Sequence, residues 1–188
     1  AVRVLASGYD GRPFPDVNDA VVDRRGNVFF TAPRWKQDDT APEGVYRWSP
    51  DGTIMLAARL NLQPNGIGLS PDENRLYVSR WGGGDLWCFE LGLDGTLSSG
   101  TRWLDLGPGS GPDGMAVGPD GVIYQARTGD GQVSVISPDG KVLRQIQVME
   151  KGATNCELAG TDARTLYVTG GGGREGTRNG AVYRVMLP

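Results

Sequence analysis

Pro64-Asn65-Gly66-Ile67-Gly68-Leu69-Ser70-Pro71-Asp72-Glu73, followed by Leu76-Tyr77-Val78-Ser79, is a short strand, a polar turn and a second apolar strand. The same phrase returns along the chain. It opens at Asn18 (Asn18-Asp19-Ala20-Val21-Val22), Asn65, Asp113 (Asp113-Gly114-Met115-Ala116-Val117) and Asn155 (Asn155-Cys156-Glu157-Leu158), at spacings of 47, 48 and 42 residues. Second strands follow at Val28 to Thr31, Leu76 to Ser79, Val122 to Gln125 and Leu166 to Thr169. Third strands follow at Val45 to Trp48, Leu86 to Phe89, Val133 to Ile136 and Val182 to Val185. Fourth strands are readable at Ile54 to Ala58, Arg102 to Leu106 and Val142 to Val148. β-Branched and aromatic residues between Pro-Asp-Gly and Asp-Gly turns are the signature of antiparallel meanders. Four-stranded units repeating every 40 to 50 residues or so are the blades of a propeller rather than the irregular turns of a β-sandwich. The expectation is an all-β chain, one propeller domain over residues 1–188, with four blade-like repeats starting near 18, 65, 113 and 155.

Two local expectations accompany this. Val2 to Leu5 reads as a strand without a blade, able to supply the outer edge that the last repeat lacks, since an unpaired edge invites aggregation. The run Gly170 to Gly173 reads as a loop, because no helix follows to make it a phosphate cradle.

Composition narrows the chemistry. The 188 residues contain no histidine, which removes imidazole bases, Ser/His/Asp triads and the usual zinc ligands together. A net charge of −3, with no concentration of Lys and Arg, argues against a nucleic-acid partner. No stretch approaches the roughly 18 apolar residues of a membrane span. A soluble protein is expected, either cytoplasmic or periplasmic/secreted after signal removal. Cys88 and Cys156 lie in apolar strand-like runs of different repeats and read as free thiols rather than a disulfide.

In a propeller the inner strands surround a central channel, so residues that open equivalent inner strands converge at one mouth. Asn18, Asn65, Asp113 and Asn155 are therefore expected together. A single Asn or Asp at a strand start needs no ligand to explain it, since both tolerate turns and bond their own backbone. Repetition at one structural position in four units favours a shared site. Oxygen donors without imidazole or thiolate suit a hard cation, with Ca²⁺ first and Mg²⁺, Mn²⁺ or Zn²⁺ as alternatives. Asp19, Arg80, Trp81 and Arg127 are further candidates for the rim.

The segments Pro64 to Glu73 with Leu76-Tyr77-Val78, and Gly111-Pro112-Asp113-Gly114-Met115-Ala116-Val117, resemble the gluconolactonase, regucalcin and luciferin-regenerating-enzyme family. So do Asn18-Asp19 before Val21-Val22-Asp23 and Phe30-Thr31, and Thr154-Asn155-Cys156 before Leu166-Tyr167-Val168-Thr169. The resemblance implies a divalent metal on Asn65 and Asp113, and Asp113 as general base toward a water attacking a lactone carbonyl. It implies substrate or metal-water contact for Asn18. Substrate contacts are also expected from Asp19, Asn155, Arg80 and Arg127. Two departures accompany it. Relatives are six-bladed, with a glutamate ligand from the first blade, and this sequence starts where the outer strand of a second blade would be, leaving about two blades and that glutamate out. Many relatives also have Asp where this chain has Ala32. Both reduce negative charge and predict weaker metal binding. Three arrangements are open: the four blades close on themselves through Val2 to Leu5, another chain or a cleaved fragment completes the propeller, or the sequence is part of a longer one. A lactone hydrolase is the leading expectation. A non-catalytic Ca²⁺ or small-ligand propeller, a scaffold whose channel holds only water, and a strictosidine-synthase-like propeller enzyme are the alternatives.

Overall fold

In the computed structural model, residues 1–36, 38–149, 151–160, 162–171 and 180–188 are described, and they contain no helix. The first hairpin pairs β1 (Gly8–Tyr9) with β2 (Arg12–Pro13). Blade one is the meander β3 (Ala20–Val22), β4 (Val28–Ala32), β5 (Gly44–Trp48) and β6 (Ile54–Arg59). Blade two is β7 (Pro64–Leu69), β8 (Arg75–Arg80), β9 (Asp85–Glu90) and β10 (Thr101–Asp105). Blade three is β11 (Pro112–Val117), β12 (Ile123–Arg127), β13 (Gln132–Ile136) and β14 (Val142–Gln147). Blade four is three-stranded: β15 (Ala153–Ala159), β16 (Thr165–Gly171) and β17 (Gly180–Met186). Every pairing is antiparallel between sequence neighbours, and the blades are arranged as a β-propeller.

The inner strands are β3, β7, β11 and β15, with β7 packed between β3 and β11, and β11 between β7 and β15. Period-two alternation sends successive side chains of each blade to opposite faces, so each pair of neighbouring blades encloses its own apolar layer. Phe29, Val45, Ile67, Leu76, Val78 and Phe89 fill the layer between blades one and two. Tyr77, Leu86, Met115, Ile123 and Ile136 fill the next. Ala116, Val133, Cys156, Leu166 and Val168 fill the third. The cysteines are free, with Cys88 half-buried. Burial pushes the Cys156 thiol up to about 12, and that thiol donates to the Tyr124 carbonyl (3.0 Å).

The structure revises both local expectations. Val2 to Leu5 forms no strand, and Val2 and Val4 are exposed. The N-terminal segment instead covers the outward face of blade one. Phe14 meets Phe30 and Tyr46 edge-on, with ring centroids 5.2 and 4.9 Å apart, and Tyr9 meets Tyr46 at 5.5 Å. Aromatic burial against a ready apolar face outweighs the weak pairing of a four-residue strand. Gly170 and Gly171 belong to β16 rather than to a loop, because each pairs across to β17; Gly172 and Gly173 lie outside the described residues.

Candidate functional site

The inner strands of blades two to four begin with a bulge. In blade two the register moves from Pro64 opposite Arg80 to Ile67 opposite Val78, so Asn65 and Gly66 share one partner position. In blade three Asp113 and Gly114 do the same. An extra residue at a strand's start bends the backbone and re-aims its side chains. In blade four the register moves from Ala153 to Asn155 opposite Thr169, which puts Thr154 at the level of Asn65 and Asp113, and Asn155 at the level of Gly66 and Gly114. The expected set is therefore shifted by one residue in blade four. Counting back from buried Cys156, which matches Ile67 and Met115, would have located Thr154. Asn155 instead resembles Asp19: each folds back on the next amide, from Cys156 to Asn155 Oδ1 (2.8 Å) and from Ala20 to Asp19 Oδ1 (2.9 Å).

Glycine makes this convergence possible. A Cβ on Gly66 would lie 2.1 Å from the Asp113 carbonyl oxygen, and one on Gly114 would lie 2.2 Å from Asn155 Oδ1. Hydroxyls lock the inner strands of blades two and three to the preceding blade: Thr31 Oγ1 donates to the Asn65 carbonyl (2.5 Å) and Ser79 Oγ to the Asp113 carbonyl (2.7 Å). Gln125 Nε2 adds a second donor to the Asp113 carbonyl at 2.9 Å.

Two polar groups at the mouth stand out. Asn65 is 3 % exposed, and its side-chain Oδ1 is buried without a hydrogen-bond partner. An orphaned buried acceptor costs about 1–3 kcal/mol unless a ligand, ion or water meets it. The half-buried Asp113 carboxyl is pushed up to about 7, first by loss of solvent and then by the facing charge of Asp19. Asp19 is itself pushed up by burial, opposed by amide bonds from Ala20 and Ile67. Asn18 lies at the same level but is exposed. A cavity of about 350 Å³ runs along the inner strands and is lined by Asp19, Ile67, Met115, Asn155 and Glu157 among others. A larger cavity of about 680 Å³ lies at the opposite end, among turn residues such as Asp72, Asp120 and Pro138, away from these groups.

Arg80 and Arg127 sit beside the inner-strand openings, opposite Pro64 and Pro112, but neither guanidinium is free. Arg80 is 8 % exposed, grips Asp85 through two bonds (2.8 and 2.7 Å) and lies over the Trp87 ring. Burial raises the Asp85 carboxyl, yet Arg80 and Arg102 together hold it below its usual range. Arg127 pairs with Asp130 and Ser134. Both arginines brace the loops around the mouth.

Among the described residues no group of three or more His, Cys, Asp or Glu side chains could hold a metal. The oxygen donors present, Asn65 Oδ1 and the Asp113 and Asp19 carboxylates, nevertheless fit a hard cation, which accepts amide oxygens and completes its shell with water. Burial and mutual repulsion of the two carboxylates are the conditions that a cation relieves.

Fold and mouth together define a propeller whose channel opening gathers amide and carboxylate oxygens. The chain belongs to the SMP-30/Gluconolactonase/LRE-like family, whose model matches residues 1–172. It is 30 % identical over 184 residues to a gluconolactonase of Zymomonas mobilis, an alignment covering 88 % of this chain and 51 % of the relative. The solved structure of a gluconolactonase from Xanthomonas campestris superposes with a TM-score of 0.78 at 30 % identity, over 89 % of this chain and 58 % of the other. Regucalcin from Agrobacterium tumefaciens, described as a calcium-binding protein, superposes with a TM-score of 0.69 at 25 % identity, over 81 % and 52 %. The chain spans about half the length of the curated gluconolactonase it matches. No helix among the described residues is long and apolar enough to cross a membrane.

Proposed function

We propose that this propeller opens small cyclic esters, sugar lactones of the gluconolactone kind, with Asp113 as general base and a divalent cation, Ca²⁺ in the first instance, held by Asn65 and Asp113. The carrying observation is the pair of groups on neighbouring inner strands: a buried amide oxygen without a partner and a carboxyl raised to about 7. The raised carboxyl belongs to the metal-free mouth; a bound cation would lower it again and keep Asp113 ionised, the form that accepts a proton from water. Asp113 takes a proton from water as the water oxygen bonds to the acyl carbon. The ring C–O bond then breaks and the proton passes to the departing alkoxide, giving a hydroxy acid. When bound, the cation supplies Lewis-acid polarisation of the carbonyl and charge for the developing oxyanion. Asn18, Asp19 and Asn155 orient ring hydroxyls, while Arg80 and Arg127 act by holding the loops that carry the mouth. The similarity to gluconolactonases supports this reading.

The reading extends to further propeller sheet, from this or another chain, over blade four. Tyr167, Val182 and Met186 share one face of the blade-four sheet and are exposed by 41 %, 70 % and 66 %, an apolar surface of the kind that is covered in a closed propeller. A second reading, a Ca²⁺ or small-ligand propeller without turnover, is favoured by the lack, among the described residues, of a group of three or more acidic side chains able to hold a metal. Proton release from glucono-δ-lactone, measured with calcium and after full chelation, separates the two. Hydrolysis that calcium restores supports the lactonase. Unchanged hydrolysis after chelation removes the metal from the mechanism, and no hydrolysis with calcium bound leaves the binding propeller.

A further inference from the structure

Trp35, in the β4–β5 connection, and Trp81, after β8, stand in loops at the mouth end, each 41 % exposed. Their rings meet edge to face, with centroids 6.0 Å apart and planes at 78°. Trp81 is fixed at both ends of the mouth. Its main-chain N–H donates to the Gln63 carbonyl (2.9 Å), two residues before Asn65. Its indole Nε1 donates to Thr128 Oγ1 (2.8 Å), and Thr128 donates to the Gly111 carbonyl (3.0 Å), two residues before Asp113. The ring thus spans the approaches to the two strands that carry the orphaned amide and the raised carboxyl. Beside Trp35, the Arg34 guanidinium pins its own loop to the Thr40 and Ala41 carbonyls (3.1 and 2.7 Å). Because Thr128 occupies the only polar atom of the Trp81 side chain, what that side chain leaves exposed is apolar.

We propose that Trp35 and Trp81 form an aromatic wall at the mouth that stacks against the C–H face of a cyclic polyol, making them specificity-determining residues; this rests on the lactonase reading of the same mouth. A saturated sugar ring presents weakly positive C–H bonds on its face and hydroxyls around its edge. The negative face of an indole attracts the first, and the amides and carboxylates of the mouth take the second. Open-chain polyols lack a flat face and gain little from the wall.

The test uses 1,5-anhydro-D-glucitol, a cyclic polyol without a reactive carbonyl, with binding followed by saturation-transfer NMR and hydrolysis of glucono-δ-lactone assayed in parallel. Trp81→Ala and Trp35→Ala are each expected to weaken anhydroglucitol binding and raise KM by about three- to tenfold with kcat retained. Trp81→Phe, which keeps a ring but loses the Thr128 bond, retains most of the binding. If Trp81→Ala loses its fold by circular dichroism, Trp35→Ala decides alone, since its ring touches Trp81 only edge-on. Absent binding by the unaltered protein, or equal binding and equal KM in the alanine variants, overturns the wall and leaves the lactonase standing. Tryptophan-dependent binding without any hydrolysis supports the wall and removes the lactonase.

Discussion

Blades two and three differ from blades one and four in how their inner strands begin. The middle pair opens with Pro64-Asn65-Gly66 and Pro112-Asp113-Gly114, is packed on both sides by other inner strands, and closes the same level with Arg80 and Arg127 in ion pairs. The flanking pair opens with Asn18-Asp19 and Thr154-Asn155, has no glycine in the inner strand where the middle pair has Gly66 and Gly114, and carries Ala32 and Gly170 where the middle pair has arginine. Asn18 and Asn155 are exposed, whereas Asn65 is buried. One polar residue type at nearly one position therefore acquires different chemistry, because two-sided packing strips solvent from the middle pair and leaves it on the flanks.

The sharpest way to break this comparison is to neutralise Asp113. Asp113→Asn is expected to lower lactone hydrolysis about 10²- to 10⁴-fold while circular dichroism is unchanged, and Thr154→Ala, on the flank, to change it by less than about tenfold. Comparable losses in both variants would erase the distinction between middle and flank. Next comes the brace. Arg80→Ala leaves Asp85 buried with only the half-exposed Arg102 as partner, and is expected to cost about 1.5–3 kcal/mol in denaturant unfolding. Asn65→Ala is expected to raise the calcium concentration needed for half-maximal activity about ten- to a hundredfold, the range seen when support for a metal site is lost; calorimetric titration reads the same shift without turnover. Gly66→Ala, whose new methyl group meets main chain of the next blade, should cost about 1–3 kcal/mol, which thermal melts would detect.

The last test is a pH slope. Asp113 binds its proton up to about pH 7 in the folded protein, against an ordinary value of 3.8. Between about pH 4 and 7 the unfolded chain has released a proton that the folded chain keeps, so this group's contribution falls as pH rises through that window and levels off above it. Metal-free protein should show the decline in chemical denaturation, and Asp113→Asn should flatten it. An equal slope in that variant would place the burial elsewhere.

Much of this was legible in the sequence, and the parts that were not have three separate causes. The strands of all four repeats were readable because alternation and Asp-Gly turns are local signals. Asn65 and Asp113 were readable as inner-strand openings because an Asn or Asp recurs at that place in the repeat. Thr154 was missed because a bulge shifts register by one residue, and a conspicuous asparagine beside it drew the alignment. The pairing of Arg80 with Asp85 and of Arg127 with Asp130 was not read from the sequence, because each acid lies across a turn from its arginine. The N-terminal Val2 to Leu5 looked like an edge strand because its pattern is strand-like, while the aromatic face that captures Tyr9 and Phe14 exists only once blade one has folded.

By itself, then, the sequence determined the repeat, the blade order, the absence of imidazole chemistry and the presence of oxygen donors at inner-strand starts, because each depends on residue type and short-range spacing. Only the tertiary structure decided which donors lose their solvent and which tryptophans stand at the mouth. Those properties belong to contacts between blades some 34 to 49 residues apart in the chain, such as Thr31 with Asn65 and Ser79 with Asp113 at 34 and Arg24 with Glu73 at 49, and no local pattern encodes burial that a distant strand provides.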